Sequence, residues 1–515
     1  MSAYLDVVLF AALLAAILSG FPVAFAIAGT AVLFAYIGWL TQAMDIALLG
    51  ALGQRAFGLI TNQVLIAIPV FIFMGALLER SRVAENLLQM MGRVFGNLRG
   101  GLGISVVFVG TLLAASTGIV GATVVTMGLI ALPAMLQAGY SKSFAAGIVC
   151  TAGTLGQIIP PSTLLIILSE VMSNSFQQAQ YEQGKFSVEA LSVGQFFAAA
   201  LAPGLLLVGL YLIYIIMRGL VTPAAAPPVI TGLKPSFREV SAAIVPPIFL
   251  ILAVLGSILG GVATPTEAAS VGAIGALLMA GAQAGLRRYI PIIGALALGL
   301  VLVLSGIFPV RLQRDTLATA DYLFGSLYIV LVVATAVSVV AAIGSCLRTR
   351  TLHDAAGATM QMTAMIFATI LAASFFSLIF IGLGGEARVD SILLQLPGGA
   401  DGALLFTMVF LFFLGFVLDF VEIAIIVLPL VIPQLILMGH EPIWLGILIA
   451  INLQTSFLTP PFGFSLFYLR GAAPKEVRTT DIYWGVIPFI GLQILGMLVV
   501  WWLPTLSTWL PSMMF

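Results

Sequence analysis

The sequence predicts an all-α polytopic membrane protein made of two inverted repeats, each with a re-entrant helical hairpin and a broken transmembrane helix. Three observations carry that reading. Of 515 residues, 61% are hydrophobic and only 8% charged, with a mean hydropathy of +1.18, whereas roughly a quarter of residues are charged in soluble domains. Apolar runs of about 20 residues, each long enough to cross a bilayer as a helix, recur from end to end. Two of those runs are interrupted by double prolines at an offset of 300 residues, Pro160-Pro161 and Pro460-Pro461. The formal net charge is zero and no basic block exists, which leaves a nucleic-acid role without support. Cys150 and Cys346 lie in apolar context, so neither a disulfide framework nor a zinc cluster is indicated. The first residues lack the basic start of a cleaved leader and read as a helix that stays.

Taken in order, the pattern predicts spans at 4–19, 22–40 and 63–79, a hairpin at 101–138, a broken helix at 143–172 and a span at 193–217. The second half follows with spans at 243–260, 265–285, 289–309, 322–346 and 357–383, a hairpin at 403–438, a broken helix at 443–472 and a span at 483–503. In domain terms, 1–220 is the first repeat and 221–288 the linker with the opening spans of the second. Residues 289–346 are two extra helices, and 347–515 complete the second repeat. The segment 79–100 places Leu87, Leu88, Met91 and Val94 at helical spacing and reads as an amphipathic helix in the membrane interface. The six tryptophans, including Trp501 and Trp502, suit an interfacial belt. His353 and His440 fall in predicted loops and show no metal-site spacing.

The breaks follow from proline chemistry. In "LGQIIPPSTL", 155–164, the two prolines donate no N–H, and the residues before them are pushed out of helical angles. The carbonyls of Gly156 and Gln157 lose their helical partners, and in hydrocarbon each such group costs several kcal/mol, roughly, unless it is satisfied otherwise. "QTSFLTPPFGFSL", 454–466, repeats the device. The same offset pairs Pro133 with Pro433 and Gly139 with Gly439, and "RVAENLL" at 82 is matched by "RVDSILL" at 388. Paired breaks in two halves point to a transporter binding site.

Upstream of each break lies a hairpin tip: Ser116, Thr117, Gly118 and Gly121 in one, Gly415, Asp419 and Glu422 in the other. Irregular backbone cannot face lipid, so both tips belong inside protein or against a cavity. Asp419 and Glu422 share a face if helical and would bind a cation, take a proton or cap the returning half-helix, with a coupling role favoured. For Glu267, in "ATPTEAAS", capping is the favoured role.

Walking alternate loops leaves only Arg55, Lys185, Arg311, Arg314 and Arg388 of the 20 basic residues on one side. The opposite side is then cytoplasmic, and both termini lie outside it. An odd number of crossings separates the hairpins, so they enter from opposite faces.

The stretches "PAMLQAGYSKSFAAGIVCTAGTLGQIIPPS", "GVATPTEAASVGA" and "LTPPFGFSLFYLRG" resemble the large membrane subunit of TRAP (tripartite ATP-independent periplasmic) transporters. The resemblance covers both halves but omits about 289–346, and the "AASTGIVGA" tip and Glu422 depart from the family pattern. It implies a sodium-coupled elevator-type secondary transporter in the bacterial cytoplasmic membrane, with sodium as the coupling ion and no other cofactor. Its partners would be a small four-helix membrane subunit and a periplasmic binding protein that delivers an organic acid, C4-dicarboxylate-like in class. Within that picture, carbonyl ends of half-helices suit sodium and free N–H ends suit a carboxylate. Sodium is expected at Ser116, Gly118, Gly153 and Gly156 in the first half and at Gly415, Asp419, Thr455 and Thr459 in the second. Substrate contact is expected at Ser162, Thr163 and Gly463. Two rival classes fit less well. An ion channel would not need two matched halves with closed hairpins, and an intramembrane enzyme lacks an HExxH, a facing Asp pair or a Ser/His set. The alternative within transporters is a stand-alone carboxylate symporter that needs no binding protein.

Overall fold

The computed structural model describes residues 4–118, 120–229, 235–310 and 319–515. Among these the chain is helical without a strand, and ten helices are long and apolar enough to cross a membrane. The helices Leu5–Leu18, Val23–Leu40 and Gln63–Arg80 open the chain, and the amphipathic helix Val83–Phe95 buries Val83, Ala84, Leu87, Leu88 and Met91. The first hairpin comprises Gly101–Thr117 and Val120–Gln137; the second comprises Gly399–Leu414 and an arm running from Phe420 to Leu437. Each is followed by a helix in two pieces. These are Lys142–Thr154 with Thr163–Glu182, and Pro442–Leu458 with Phe464–Ala472.

Caps set many of these boundaries, because the first N–H groups of a helix have no internal partner and lipid offers none. Asn62 accepts from Val64 and Leu65 at 2.9 and 3.2 Å to start Gln63–Arg80. Reciprocal capping boxes start Val193–Val221 (Ser192, Gln195), Phe237–Leu259 (Ser236, Glu239) and Pro265–Gln283 (Thr264, Glu267). Glu267 is therefore a cap, its carboxylate accepting the Thr264 N–H at 2.8 Å. Gly139 and Gly439, each just after a hairpin, have φ of +86° and +104°, a region that glycine enters without steric cost.

The structure departs from the expected boundaries where apolar pattern and helix propensity part company. The restart after the first break runs to Glu182, ten residues past the expected end, because "SNSFQQAQYE" is polar yet helix-competent. The expected loop at 41–62 contains the helix Ala51–Ile60, and Gly385–Gln395 forms a helix in the position that Val83–Phe95 holds in the first half. His353 lies on the helix Thr351–Gly382, exposed, rather than in a loop. Trp444 is buried and donates to the Val500 carbonyl at 2.9 Å, so it does not belong to an interfacial belt.

Packing shows the two-fold relation directly. Val23–Leu40 packs on Thr351–Gly382, and Pro265–Gln283 packs on Gln63–Arg80. The hairpin arms cross over in the same way: Val120–Gln137 lies on Phe464–Ala472, while Leu428–Leu437 lies on Thr163–Glu182. Exchanging the halves exchanges these pairs. At the centre, Gln454 Nε2 donates to Thr154 Oγ1 at 3.4 Å, and the two residues are 300 apart, the offset that aligns the proline pairs. The helices Tyr289–Ile307 and Thr319–Arg348 pack on each other and on Pro265–Gln283, with 17% of each apolar window buried. They form a peripheral pair. Gly281 against Ala342 and Gly294 against Ser338 allow the close approach typical of membrane helix contacts.

Candidate functional site: two helix breaks under two hairpin tips

At the first break, Lys142–Thr154 tightens into the 3-10 turn Leu155–Gln157, passes the cis bond Pro160-Pro161 and restarts at Thr163. The Gln157 carbonyl, freed by the prolines, accepts from Ser162 Oγ at 2.8 Å. At the second break Ser465 Oγ donates to the Phe457 carbonyl at 2.7 Å. Gln157 and Phe457 are related by the same 300-residue offset, so both repeats repair the break with a serine hydroxyl from the restarting helix. Ser465 was not among the expected site residues, although its place just beyond "PPFGF" is the signal that would have found it.

Each tip rests on its own break. Gly118, with φ +60°, accepts at its carbonyl from Thr163 Oγ1 at 2.7 Å, and a Cβ there would stand 2.7 Å from the Thr163 nitrogen. Gly415 packs so closely on Ser456 that a Cβ would overlap its hydroxyl. The rings of Phe420 and Phe457 pack 6.3 Å apart between tip and break. Asp419 and Glu422 form a capping box for the second arm: Asp419 accepts from Phe420 N–H at 2.8 Å, and Glu422 Oε2 accepts from Asp419 N–H at 2.8 Å. A five-residue π-helix, Ile423–Val427, follows before Pro429, whose ring cannot donate to the preceding turn.

The expected site residues thus fall into two groups. Gly118, Ser162 and Thr163 come together at the first tip and break, with both hydroxyls already donating to carbonyls and both residues buried. Gly153 packs against Val124, and Gly156 lies buried in the 3-10 turn. The Ser116 side chain lies outside the described residues. In the second half, Gly415 meets the first half-helix, and Thr455 and Thr459 donate to Ile451 and Thr455 carbonyls at 2.8 and 2.7 Å. Gly463 begins the restart, its N–H bonded to the Thr459 carbonyl at 3.0 Å. Near the first break, buried polar side-chain atoms have no hydrogen-bond partner among the described residues: Gln157 Oε1 and Nε2, Thr151 Oγ1 and Gln454 Oε1. Gln157 and Gln454, polar residues inside the two interrupted apolar runs, were the sequence signal for these.

A cavity of about 1060 Å³ opens beside the second tip. Asp419 and Glu422 line it together with Phe464 and Tyr468 from the restarting helix, and its far wall comes from Val23–Leu40, Ala51–Ile60 and Thr351–Gly382. Ser162 and Thr163 are not in that wall.

Comparison with known proteins gives this architecture a family. The model for the tripartite ATP-independent periplasmic transporter, DctM component, matches residues 9–289 and 282–506. A C4-dicarboxylate TRAP transporter large permease protein from Vibrio cholerae is 28% identical over 511 residues, covering 98% of this chain and 97% of its own. An ectoine TRAP transporter large permease protein from Halomonas elongata is 24% identical, covering 99% of each. Among solved structures, the Alcanivorax borkumensis YdaH transporter superposes with a TM-score of 0.54 over 91% of this chain and 90% of its own, at 16% identity, which shows a shared fold. With paired breaks, seated hairpin tips and a family match from end to end, the chain belongs to the large permease subunits of TRAP transporters, multi-pass proteins of the bacterial inner membrane.

Proposed function

We propose that this chain is the permease of a sodium-coupled, binding-protein-dependent importer of an organic acid, working by an elevator movement. The observation that carries the reading is the pair of tip-on-break units, cross-packed on each other inside a helical frame. Each unit ends one half-helix and begins another beside a hairpin tip, and the carbonyl end of a half-helix suits a cation while the N–H end suits a carboxylate. The residues fit sodium. Unpaired oxygens of Gln157, Thr151 and Gln454 cluster with the first break, and the second offers the carboxylates of Asp419 and Glu422. Sodium would therefore be held by the first tip and break, through Gly118, Gly153, Gly156 and Ser116, and by the second, through Gly415, Asp419, Thr455 and Thr459. The carboxylate would be met by the restarting helices at Ser162, Thr163 and Gly463.

In this reading the frame stays and the two units travel. Among the bonds that would then exchange in transit are Thr126 to Glu79 at 2.7 Å and Asn62 to Glu170 at 2.8 Å, each joining a unit to the helix Gln63–Arg80 or to its cap. The family name supports a small membrane subunit and a periplasmic binding protein as partners, and the dicarboxylate of the Vibrio relative supports an organic acid as the substrate. The test is uptake into proteoliposomes that hold this chain and its small subunit, with loaded binding protein outside. Uptake should follow an inward sodium gradient, without ATP. Equal uptake in potassium buffer at constant pH would overturn the coupling, and full uptake without binding protein would move the chain to the stand-alone symporters.

A further inference from the structure

A separate cavity of about 540 Å³ lies where the helix Val83–Phe95, the start of Phe237–Leu259 and the end of Pro265–Gln283 come together. Three arginines line it from three segments: Arg93 in the last turn of Val83–Phe95, Arg238 in the first turn of Phe237–Leu259, and Arg288 just before Tyr289–Ile307. All are exposed, and among the described residues none has an ion pair or a side-chain hydrogen bond. By contrast Lys142 and Arg470, which the charge count puts on the same side, donate to the Glu476 and Val477 carbonyls at 2.9 and 2.6 Å. Glu239 is the acid in the wall, and its carboxylate already accepts the Ser236 N–H at 3.2 Å in a capping box. Three arginines less one glutamate leave the lining a formal charge of +2. Guanidinium groups sharing one concavity repel each other, and their paired donors match phosphate oxygens.

Beside the arginines the surface turns apolar. Met90, Pro246, Pro247 and Met279 complete the wall, and Val245 and Phe249 stand exposed further along the same helix, with Ile292 exposed on Tyr289–Ile307. Phe237 and Tyr289 open their helices with exposed rings, the position that interfacial aromatic residues take. The cavity thus joins a basic floor at headgroup level to an apolar face of membrane length.

We infer that this cavity binds an anionic phospholipid, its phosphate held among Arg93, Arg238 and Arg288 and its acyl chains lying along Val245, Phe249 and Ile292. Basic pockets between membrane helices recognise such headgroups. A soluble phosphate would use the arginines and leave the apolar face idle, and a zwitterionic lipid would bring an ammonium group to a wall already positive. The helix Val83–Phe95 packs on the hairpin arm Gly101–Thr117 as well as on Phe237–Leu259 and Pro265–Gln283, so the lipid would brace that helix against its neighbours. This cavity shares no lining residue with the one beside the second tip, and the inference does not depend on the transport reading.

The test uses the purified full-length chain, stripped of lipid in detergent and mixed with equal amounts of palmitoyl-oleoyl phosphatidylglycerol and the matching phosphatidylcholine. Native mass spectrometry then counts the lipid retained. Phosphatidylglycerol should be preferred about tenfold or more. Replacing all three arginines (Arg93→Gln, Arg238→Gln, Arg288→Gln) should abolish the preference, and each single change should lower it about two- to fivefold. The single variants decide the matter if the triple variant does not fold. A control with Arg80→Gln, Arg348→Gln and Lys475→Gln removes three cations that do not line the cavity and should keep the preference. A preference that survives the cavity changes, or falls equally in the control, would overturn the site. Displacement of the lipid by excess inorganic phosphate would assign the arginines to a soluble phosphate and overturn the lipid. Equal retention of both lipids by the unaltered chain would also sink the inference and leave the cavity to an acidic protein segment.

Discussion

The two breaks share a backbone plan and differ in chemistry. The first is neutral and closed: Thr163 locks Gly118, Ser162 locks Gln157, and the residues around them are buried. The second has a nine-residue restart where the first has twenty, and its tip carries two carboxylates that face a large cavity. Repetition of the serine-to-carbonyl repair in both shows what the fold requires, namely satisfaction of the carbonyls that a double proline strands in hydrocarbon. What differs, the tip side chains, is left free to set ligand chemistry.

The largest effect is expected from removing the break itself. Pro160→Ala with Pro161→Ala restores two donors and lets the helix close over the Gly156 and Gln157 carbonyls. The protein should insert and fold yet show little uptake, while near-normal uptake would detach the break from the site. A nearly all-or-none contrast is also expected for inversion. With Cys150 and Cys346 replaced, single cysteines at Gly139 and Gly439 should differ in labelling by an impermeant thiol reagent on intact cells, position 439 reacting and 139 not. Labelling of both from one side refutes opposed hairpins.

The tips themselves separate next. Gly118→Ala puts a Cβ against the Thr163 backbone at a left-handed φ, and should cost about 2 kcal/mol or more in unfolding measurements. Gly415→Ala meets a movable hydroxyl instead, so adding Ser456→Ala should recover most of its loss. If Ser456→Ala rescues neither stability nor uptake, the second tip is held by something other than that contact. Ser162→Ala and Ser465→Ala should each cost about 1–3 kcal/mol by leaving a buried carbonyl unpaired. Similar losses in the two would support the shared repair. The smallest effect belongs to Glu267→Gln, which keeps the capping acceptor at an exposed helix start and should leave uptake unchanged and the melting temperature within a degree or two, roughly.

Much of this architecture is legible in the chain alone, because its causes are local. Proline pairs break helices wherever they stand, apolar runs of bilayer length declare spans, and the Thr264-Pro265-Thr266-Glu267 start carries its cap in four residues. The polar helix ending at Glu182 and the helices Ala51–Ile60 and Gly385–Gln395 escaped notice because they lie outside the long apolar runs. The 300-residue offset was visible as a pattern of breakers. Only the tertiary structure decided that Thr154 and Gln454 touch at its centre, that the returning arm of each hairpin packs on the other repeat's restarting helix, and that Asp419 and Glu422 face the large cavity while Ser162 and Thr163 do not. A sequence records which groups a break leaves unsatisfied. Which distant group comes to satisfy them, or leaves one open for a ligand, is fixed when helices hundreds of residues apart close around them.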